Sequence, residues 1–226
     1  SSTAANFTSI PQGFDIPSDL DYPPITTKHT IFGTQYKALP ESNVPLISDS
    51  SSDIFSRSLD FSKFDLLYAG AQKNMGPAGA TLVVAKEDAL GKVSRQVPSM
   101  LDYKIHADKD SMFNTPPVFA VYTSMLTLQW LKDKGGIAAI EKENDAKAAL
   151  MYGEIDSNPL FDGLAATAEN STKNATYTLS GDSQKERVEA MGKETRPNGM
   201  NDNDSVGGNS AYRAQDRESE PTEEED

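Results

Sequence analysis

The chain has 226 residues, 37% of them hydrophobic, and its net charge of −13 argues against nucleic acids and anionic membranes as partners, because both attract clustered Lys and Arg. It contains no Cys, which excludes disulfides and thiol nucleophiles, and with only two His we expect no metal site. Its length predicts one large domain or two small ones, no apolar run approaches the roughly 18 residues of a membrane span, and the acidic, Cys-free composition predicts a cytoplasmic protein.

Four apolar stretches predict strands, while residues 1–24 are rich in Ser, Pro and Asp and predict loop. Between the last two strands, the run NMGPAG at 74–79 has the composition of a turn. The strands are mostly uninterrupted apolar runs, which favours an α/β fold with a largely parallel sheet covered on both faces. The predicted strands are 24–27, 43–48, 64–69 and 81–85.

Two helices are predicted after the strands. The first begins near Asn114 or Thr115 as the N-cap, with Pro116 in the first turn, and ends at the glycine pair 135–136. The second covers about 137–155. Apolar residues recur at helical spacing in both, so we expect these stripes to be core rather than cofactor contacts. The stripe residues are Phe119, Tyr122, Leu126 and Trp130 in the first helix, and Ile140, Ala148, Met151 and Tyr152 in the second.

The composition changes near residue 180. Residues 180–226 contain 13 acidic and 6 basic side chains and few hydrophobic ones. Such a segment buries too little apolar surface to offset the entropy of ordering its backbone. We therefore expect a disordered acidic C-terminus.

Lys73 is the residue on which a chemical hypothesis depends. It follows the apolar strand at 64–69 in a run of Gly and Ala. Desolvation there would lower the pKa of its amine, and a neutral amine can attack an aldehyde to form a Schiff base. The alternative is a lysine at a strand end whose ammonium lies in water.

Asp49 strengthens this hypothesis, because it ends the preceding predicted strand. In a parallel sheet its side chain and that of Lys73 could point into one crevice. A lysine imine and a carboxylate that keeps a pyridine nitrogen protonated are the minimum for pyridoxal phosphate (PLP) chemistry. Thr30 could then donate to the phenolic oxygen of the ring, and Asn114 and Thr115, next to a helix start, could bind the phosphate.

Three motifs resemble the phosphoserine aminotransferase family of PLP enzymes. They are SSDIFSR at 51–57, YAGAQKNMGPAG at 68–79 and SMFNTPP at 111–117. They occur in the family's order and spacing, and the resemblance extends from about residue 10 to about residue 162.

The resemblance implies a role for each matching residue. Lys73 occupies the position of the lysine that forms the Schiff base with PLP, and Asp49 that of the aspartate on the pyridine nitrogen. Thr30 matches the threonine near the ring hydroxyl, and Gln72 matches a contact to the cofactor phosphate. Asn114 and Thr115 match a pair that reaches the phosphate of the other subunit's cofactor, which implies a homodimer with shared active sites.

The resemblance also implies the reaction and the domain organisation. The family converts 3-phosphohydroxypyruvate and glutamate to phosphoserine and 2-oxoglutarate in serine biosynthesis, and it also acts on a phosphorylated threonine precursor in vitamin B6 synthesis. The implied fold is the large α/β domain of type I PLP-dependent transferases, with its N-terminal part missing. Residues 1–162 would be a partial PLP-binding domain, 163–179 the start of a small C-terminal domain, and 180–226 a degenerate or disordered acidic segment.

Departures from the family pattern keep two alternatives open. The phosphate loop and a substrate arginine of the family have no counterpart here, and Lys28-His29 replaces an Asn-Asn or Asn-Glu pair. Asn203-Asp204 stands where the family has a substrate-binding His-Arg pair, and Ser210 replaces an arginine. The chain could therefore be a non-catalytic remnant or scaffold of this family, or a PLP enzyme of the same fold with another substrate. With part of the domain missing, we also expect it to self-associate through uncovered surfaces.

Overall fold

The computed structural model describes residues 8–11, 15–92, 94–165 and 170–179. The acidic segment predicted at 180–226 lies outside these ranges. No helix among the described residues combines the length and the apolar character that a membrane crossing needs. The described part contains eight strands and four α-helices, together with three short 3-10 helices at Phe61–Lys63, Glu87–Ala89 and Ser99–Leu101.

A four-stranded sheet forms the centre of the fold. Its strands are β1 (Pro24–Thr26), β4 (Ile47–Asp49), β5 (Leu66–Gly70) and β6 (Thr81–Ala85), in that spatial order. The first three are parallel and β6 is antiparallel to β5, so the predicted, mostly parallel α/β sheet is confirmed. The carboxyl ends of β4 and β5 therefore lie side by side, which is where ligands bind in open α/β sheets.

The sheet is covered on one face only within the described residues. Leu67 and Ala69 of β5 are fully buried, whereas Tyr68 between them is 37% exposed. Successive side chains of a strand point to opposite faces, so the apolar run places half of its residues on an open side. The expectation of a sheet covered on both faces is therefore wrong for these strands.

The core lies on the covered face. It includes Leu46 before β4, Leu67 and Ala69 of β5, and Ala71 and Met75 around α1 (Ala71–Asn74). Burying a large aliphatic side chain contributes roughly 1.5–3 kcal/mol. Ile54 and Phe64, from the loop between β4 and β5, complete the cluster.

The predicted strand at 43–48 is shorter in the structure. Strand β4 begins only at Ile47, because Pro45 has no N–H to donate and the N–H of Leu46 binds the Asp65 carboxylate at 2.8 Å instead of a neighbouring strand. The predicted turn at 74–79 also begins one residue later, since Asn74 belongs to α1.

A small hairpin that the sequence pattern did not indicate follows β1. It pairs β2 (Lys28–His29) with β3 (Thr34–Gln35). Gly33 closes its turn at φ +69°, and a Cβ at that position would lie 2.5 Å from Thr176 Oγ1. Strands of two residues are too short for a hydrophobic alternation to reveal them.

Helices α3 (Val118–Asp133) and α4 (Gly136–Ser157) confirm the two predicted helices. The glycine pair between them adopts positive φ at both positions, as the predicted helix end requires. The N-cap prediction is wrong: Pro117 occupies the N-cap, and the side chains of Asn114 and Thr115 are exposed before it. Because a residue before proline disfavours the α conformation, the consecutive prolines 116–117 delay the helix start.

The apolar stripe of α3 is not core, which corrects a second expectation. Ala120 and Leu131 are buried, and Ala120 and Ser124 approach the glycines of the loop after α1. The helix is apolar on most sides, so the small residues that allow close approach form its packed face. The large side chains of the predicted stripe point outward; Phe119, Tyr122, Leu126 and Trp130 are all exposed. The stripe of α4 instead lines a cavity.

The remaining elements are α2 (Tyr103–Asp108) and a two-stranded sheet of β7 (Phe161–Gly163) and β8 (Tyr177–Leu179). Rings of Phe161 and Tyr177 meet edge to face, with centroids 4.8 Å apart. The hydroxyl of Tyr152 in α4 lies 3.0 Å from the Ser171 carbonyl oxygen, to which it donates. These contacts fix residues 170–177 against α4.

Candidate active site

A cavity of about 440 Å³ opens beside α1, the hairpin and α4. Its volume lies in the range of small-molecule sites. Thr30, Ser52 and Lys73 line one wall of it, and Lys28 and Lys173 line it as well. The apolar stripe of α4 and Trp130 of α3 form the opposite side.

Lys73 reaches the cavity because the chain turns sharply after β5. Gly70 ends the strand close to the amide oxygen of Gln72, and α1 follows directly. The Lys73 Nζ donates to Ser52 Oγ at 2.6 Å, and Ser52 Oγ shares a 2.8 Å hydrogen bond with Thr30 Oγ1. The structure thus brings together an amine and two hydroxyls from three separate segments.

Asp49 lies at the carboxyl end of β4, as predicted, but its side chain is not part of the cavity wall. Its Oδ1 accepts the Ser51 N–H at 2.9 Å. Burial and, secondarily, the neighbouring Asp49 carboxylate raise the pKa of Tyr68. Asp49 therefore faces the open side of the sheet, next to Tyr68.

The other predicted site residues lie away from the cavity wall. Gln72 is exposed on α1. Asn114 and Thr115 are exposed before α3, where the Asn114 amide donates to the Thr115 carbonyl oxygen at 3.0 Å. The structure therefore brings together Thr30 and Lys73, but not the remaining predicted residues.

A buried charge network beside the cavity was not predicted. Asp53 is fully buried, and Arg57 binds it with both Nε and Nη2, the shortest contact being 2.7 Å. Gln35 of β3 donates to the same carboxylate at 2.6 Å. The i, i+4 spacing of Asp53 and Arg57 in the SSDIFSR motif could have indicated the pair.

Two further lysines of the cavity, Lys28 and Lys173, were not predicted as site residues. Burial lowers the pKa of Lys28 to about 7, and Lys173 and Lys73 add to this effect while Asp53 opposes it. Burial likewise lowers the pKa of Lys173 to about 8, with Asp53 opposing and Lys73 adding to the shift. They come from β2 and from the segment before β8, so no local pattern connects them.

Comparison with known proteins adds the family context. The sequence model of the family "Aminotransferase class-V" matches residues 33–191. A phosphoserine aminotransferase from Flavobacterium johnsoniae is 57% identical over 214 residues, which is 95% of this chain and 59% of that protein. The chain therefore spans about three-fifths of the length of this relative.

Solved structures of phosphoserine aminotransferases are also similar to this chain. Phosphoserine aminotransferase from Bacillus circulans subsp. alkalophilus superposes with a TM-score of 0.79 at 37% identity, covering 85% of this chain and 55% of that one. The PLP-bound phosphoserine aminotransferase from Trichomonas vaginalis superposes with a TM-score of 0.73 at 33% identity, covering 76% and 51%.

Proposed function

Because the chain belongs to the class-V aminotransferase family, we propose that it carries the lysine-bearing part of a PLP-dependent phosphoserine:2-oxoglutarate aminotransferase of serine biosynthesis. The observation that carries this proposal is the position of Lys73, whose amine enters a cavity at the carboxyl end of β5 and contacts Ser52. The relatives named above are phosphoserine aminotransferases.

The residues present fit the cofactor in three respects. Lys73 offers an amine for its aldehyde, and Thr30 offers a hydroxyl within the same hydrogen-bond chain. Asp49 offers a carboxylate at the end of the adjacent parallel strand, the edge where α/β sheets bind ligands. Gln72, beside Lys73, would contact the cofactor phosphate.

In the proposed mechanism the chain's residues hold the cofactor and move protons. When bound, PLP supplies an electron-accepting ring that stabilises negative charge at the substrate's Cα. Asp49 would keep the ring nitrogen protonated, and Thr30 would donate to the ring hydroxyl. The Lys73 amine would take the proton from the substrate's Cα and pass it to the cofactor rather than back to Cα, and Ser52 would orient this amine by accepting its hydrogen bond.

The proposal extends to assembly and secondary activity. Asn114 and Thr115 are exposed and do not line the cavity, which agrees with a role at the cofactor of a partner subunit in a homodimer with shared sites. We further propose action on phosphohydroxythreonine in pyridoxine biosynthesis and a cytoplasmic location. Phosphoserine, glutamate and 2-oxoglutarate are the proposed small-molecule substrates.

A non-catalytic role is the second candidate, and a specific observation favours it. The chain spans about three-fifths of its relative, and the large side chains of α3 lie exposed. Catalysis depends on positioning, which contributes several kcal/mol of the barrier. A chain that retains Lys73 without the remaining contacts could serve as a scaffold.

The cofactor spectrum separates the two candidates. PLP is added to the full chain, to Lys73→Ala and to Lys132→Ala, which removes an exposed lysine of α3 as a matched control. We expect the wild type and the control to develop an absorbance band that free PLP lacks and that survives dialysis, whereas Lys73→Ala does not. O-phospho-L-serine should then convert the bound cofactor to its amine form. A wild-type spectrum without this band contradicts the proposal and favours the scaffold.

A further inference from the structure

The cavity beside Lys73 is positively charged, although the chain as a whole carries a net charge of −13. Among the described residues that line it there is no Asp or Glu. The lining lysines come from four different segments; they are Lys28, Lys73, Lys147 and Lys173. A cavity with this lining has the charge that an anionic ligand requires.

Lys28 is the least compensated of these lysines. It is only 4% exposed, and its ammonium has no hydrogen-bond or ion-pair partner within the described ranges. Lys173 Nζ donates to the neutral Asn74 Oδ1 at 2.7 Å. Lys147, in contrast, pairs with Glu143 at 2.8 Å, and Lys73 has the role described above. Lys28 is therefore a buried cation and Lys173 a partly buried one, and neither has a carboxylate ligand among the described residues.

The one carboxylate near enough to influence both lysines is already engaged. Asp53 accepts from Arg57 and from Gln35, with its shortest contacts at 2.7 and 2.6 Å. Burial without a direct counter-ion is why the pKa values of Lys28 and Lys173 fall to about 7 and 8. Burying a charge without a partner costs free energy, because the charge loses its hydration. An anion that contacts both ammoniums would offset this loss.

We propose that Lys28 and Lys173 bind the phosphate group of the substrate in the cavity beside Lys73. This inference rests on the proposed function and deepens it by naming residues that recognise the phosphate. A phosphate monoester carries about two negative charges at neutral pH and can accept from both ammoniums, whereas a carboxylate carries one charge. The roughly 440 Å³ cavity accommodates such a substrate while its amino group approaches Lys73.

The affinity should depend on pH in a defined direction. Lys28 and Lys173 must be protonated to attract phosphate, so binding weakens as pH rises through 7 and 8. Among the described residues, the other charged or titratable groups around them are Asp53 with its partner Arg57, Lys73 from α1, and Lys147 and Tyr152 from α4. Burial raises the pKa of Tyr152 to about 12, which keeps it neutral over this range.

Calorimetric titration with inorganic phosphate tests the proposal. The full chain is first loaded with PLP, so that the cofactor's own phosphate site is filled, and titrated in phosphate-free buffer at pH 6.5 and 8.5. We expect Lys28→Gln and Lys173→Gln each to weaken binding about 10- to 100-fold, because each removes a charge-assisted hydrogen bond. The control Lys132→Gln, which removes an exposed lysine outside the cavity, should bind like the wild type.

Each outcome decides the inference. Wild-type phosphate affinity in both cavity variants, with melting temperatures retained, overturns it, and so does acetate binding as tightly as phosphate, which would indicate a carboxylate site. If the wild type forms no PLP absorbance band yet binds phosphate through Lys28 and Lys173, the anion site stands and the proposed function fails. If the band forms but the phosphate affinity is unchanged in Lys28→Gln and Lys173→Gln, the proposed function stands and the anion site is contradicted.

Discussion

At the scale of single residues, the buried pair of Asp53 and Arg57 is the interaction whose loss should cost most. Arg57 binds the carboxylate with two nitrogens, and Asp53 is fully buried. We predict that Arg57→Ala lowers the free energy of unfolding by about 3–5 kcal/mol, because it leaves an unpaired charge in the interior. Urea unfolding followed by circular dichroism measures this change.

The exposed pair of Lys104 and Asp108 provides the control. Its atoms lie 3.1 Å apart with the same i, i+4 spacing, but both side chains are more than half exposed. Lys104→Ala should therefore change the free energy of unfolding by no more than about 0.5 kcal/mol. Equal effects of the two substitutions would contradict the importance of burial at Asp53.

Lys28 should make stability depend on pH, because its pKa differs between the folded and unfolded chain. The folded value is about 7 and the model-peptide value is 10.5, so between these pH values the unfolded chain holds a proton that the folded chain has released. The free energy of unfolding therefore rises with pH across this window, by up to about 1.4 kcal/mol per pH unit from this group.

Lys28→Met should remove that slope and stabilise the protein below pH 7, where the buried ammonium costs most. Urea midpoints at pH 6, 7.5 and 9 measure the effect, with Lys132→Met as an exposed control. An unchanged pH slope in Lys28→Met would show that the ammonium of Lys28 is hydrated in the folded chain.

At the scale of elements, the docking of α3 on the loop after α1 depends on a glycine. A Cβ on Gly76 would lie 2.8 Å from Ser124 Oγ and 3.2 Å from the Ser124 backbone nitrogen. Because a helix backbone cannot yield as a side chain can, we predict that Gly76→Ala lowers the free energy of unfolding by about 1–3 kcal/mol. Chemical denaturation measures the change.

Gly153 offers a matched control within α4. Apart from its chain neighbours and the backbone of α4 itself, no atom of the described residues lies within 4 Å of the Cβ that an alanine would add there, and the position is exposed. Gly153→Ala should raise the free energy of unfolding by up to about 1 kcal/mol, since alanine favours the helix. A Gly76→Ala variant as stable as the wild type would contradict close docking of α3 at Gly76.

Some of these elements could be predicted from the sequence and others could not. The strands at 64–69 and 81–85 and both long helices were predictable, because each repeats an apolar pattern over several residues. The hairpin at Lys28–His29 was not, since two residues carry no pattern. The orientation of α3 was not either, because a helix that is apolar on most sides does not indicate which face packs.

The candidate site divides in a similar way. Lys73 and Asp49 were recognisable as residues near strand ends, and the structure places Asp49 at the end of β4 and Lys73 in α1, directly after β5. Which side chains then share a wall depends on loop geometry, so the sequence could not indicate that Ser52 links Thr30 to Lys73 while Asp49 turns toward Tyr68. The roles assigned to the six site residues stay predictions.

At the scale of the whole molecule, one apolar surface stands out. The outward side of α3 exposes seven large hydrophobic side chains, with Phe119 exposed by 74%. Contiguous apolar surface of this kind marks a protein–protein interface. The exposed residues are Val118, Phe119, Val121, Tyr122, Met125, Leu126 and Trp130.

In the proposed homodimer, a second copy of this chain would cover this surface of α3. We therefore expect the chain to self-associate. We predict that sedimentation velocity shows concentration-dependent association at micromolar chain concentrations. Charges at the centre of the surface would have to be desolvated on association, so the double variant Phe119→Asp, Tyr122→Asp should weaken it at least about tenfold. Leu150→Asp, on α4 and 79% exposed, should not change it. A wild-type chain that stays monomeric at every concentration, or equal weakening by the α4 variant, would contradict an interface on α3.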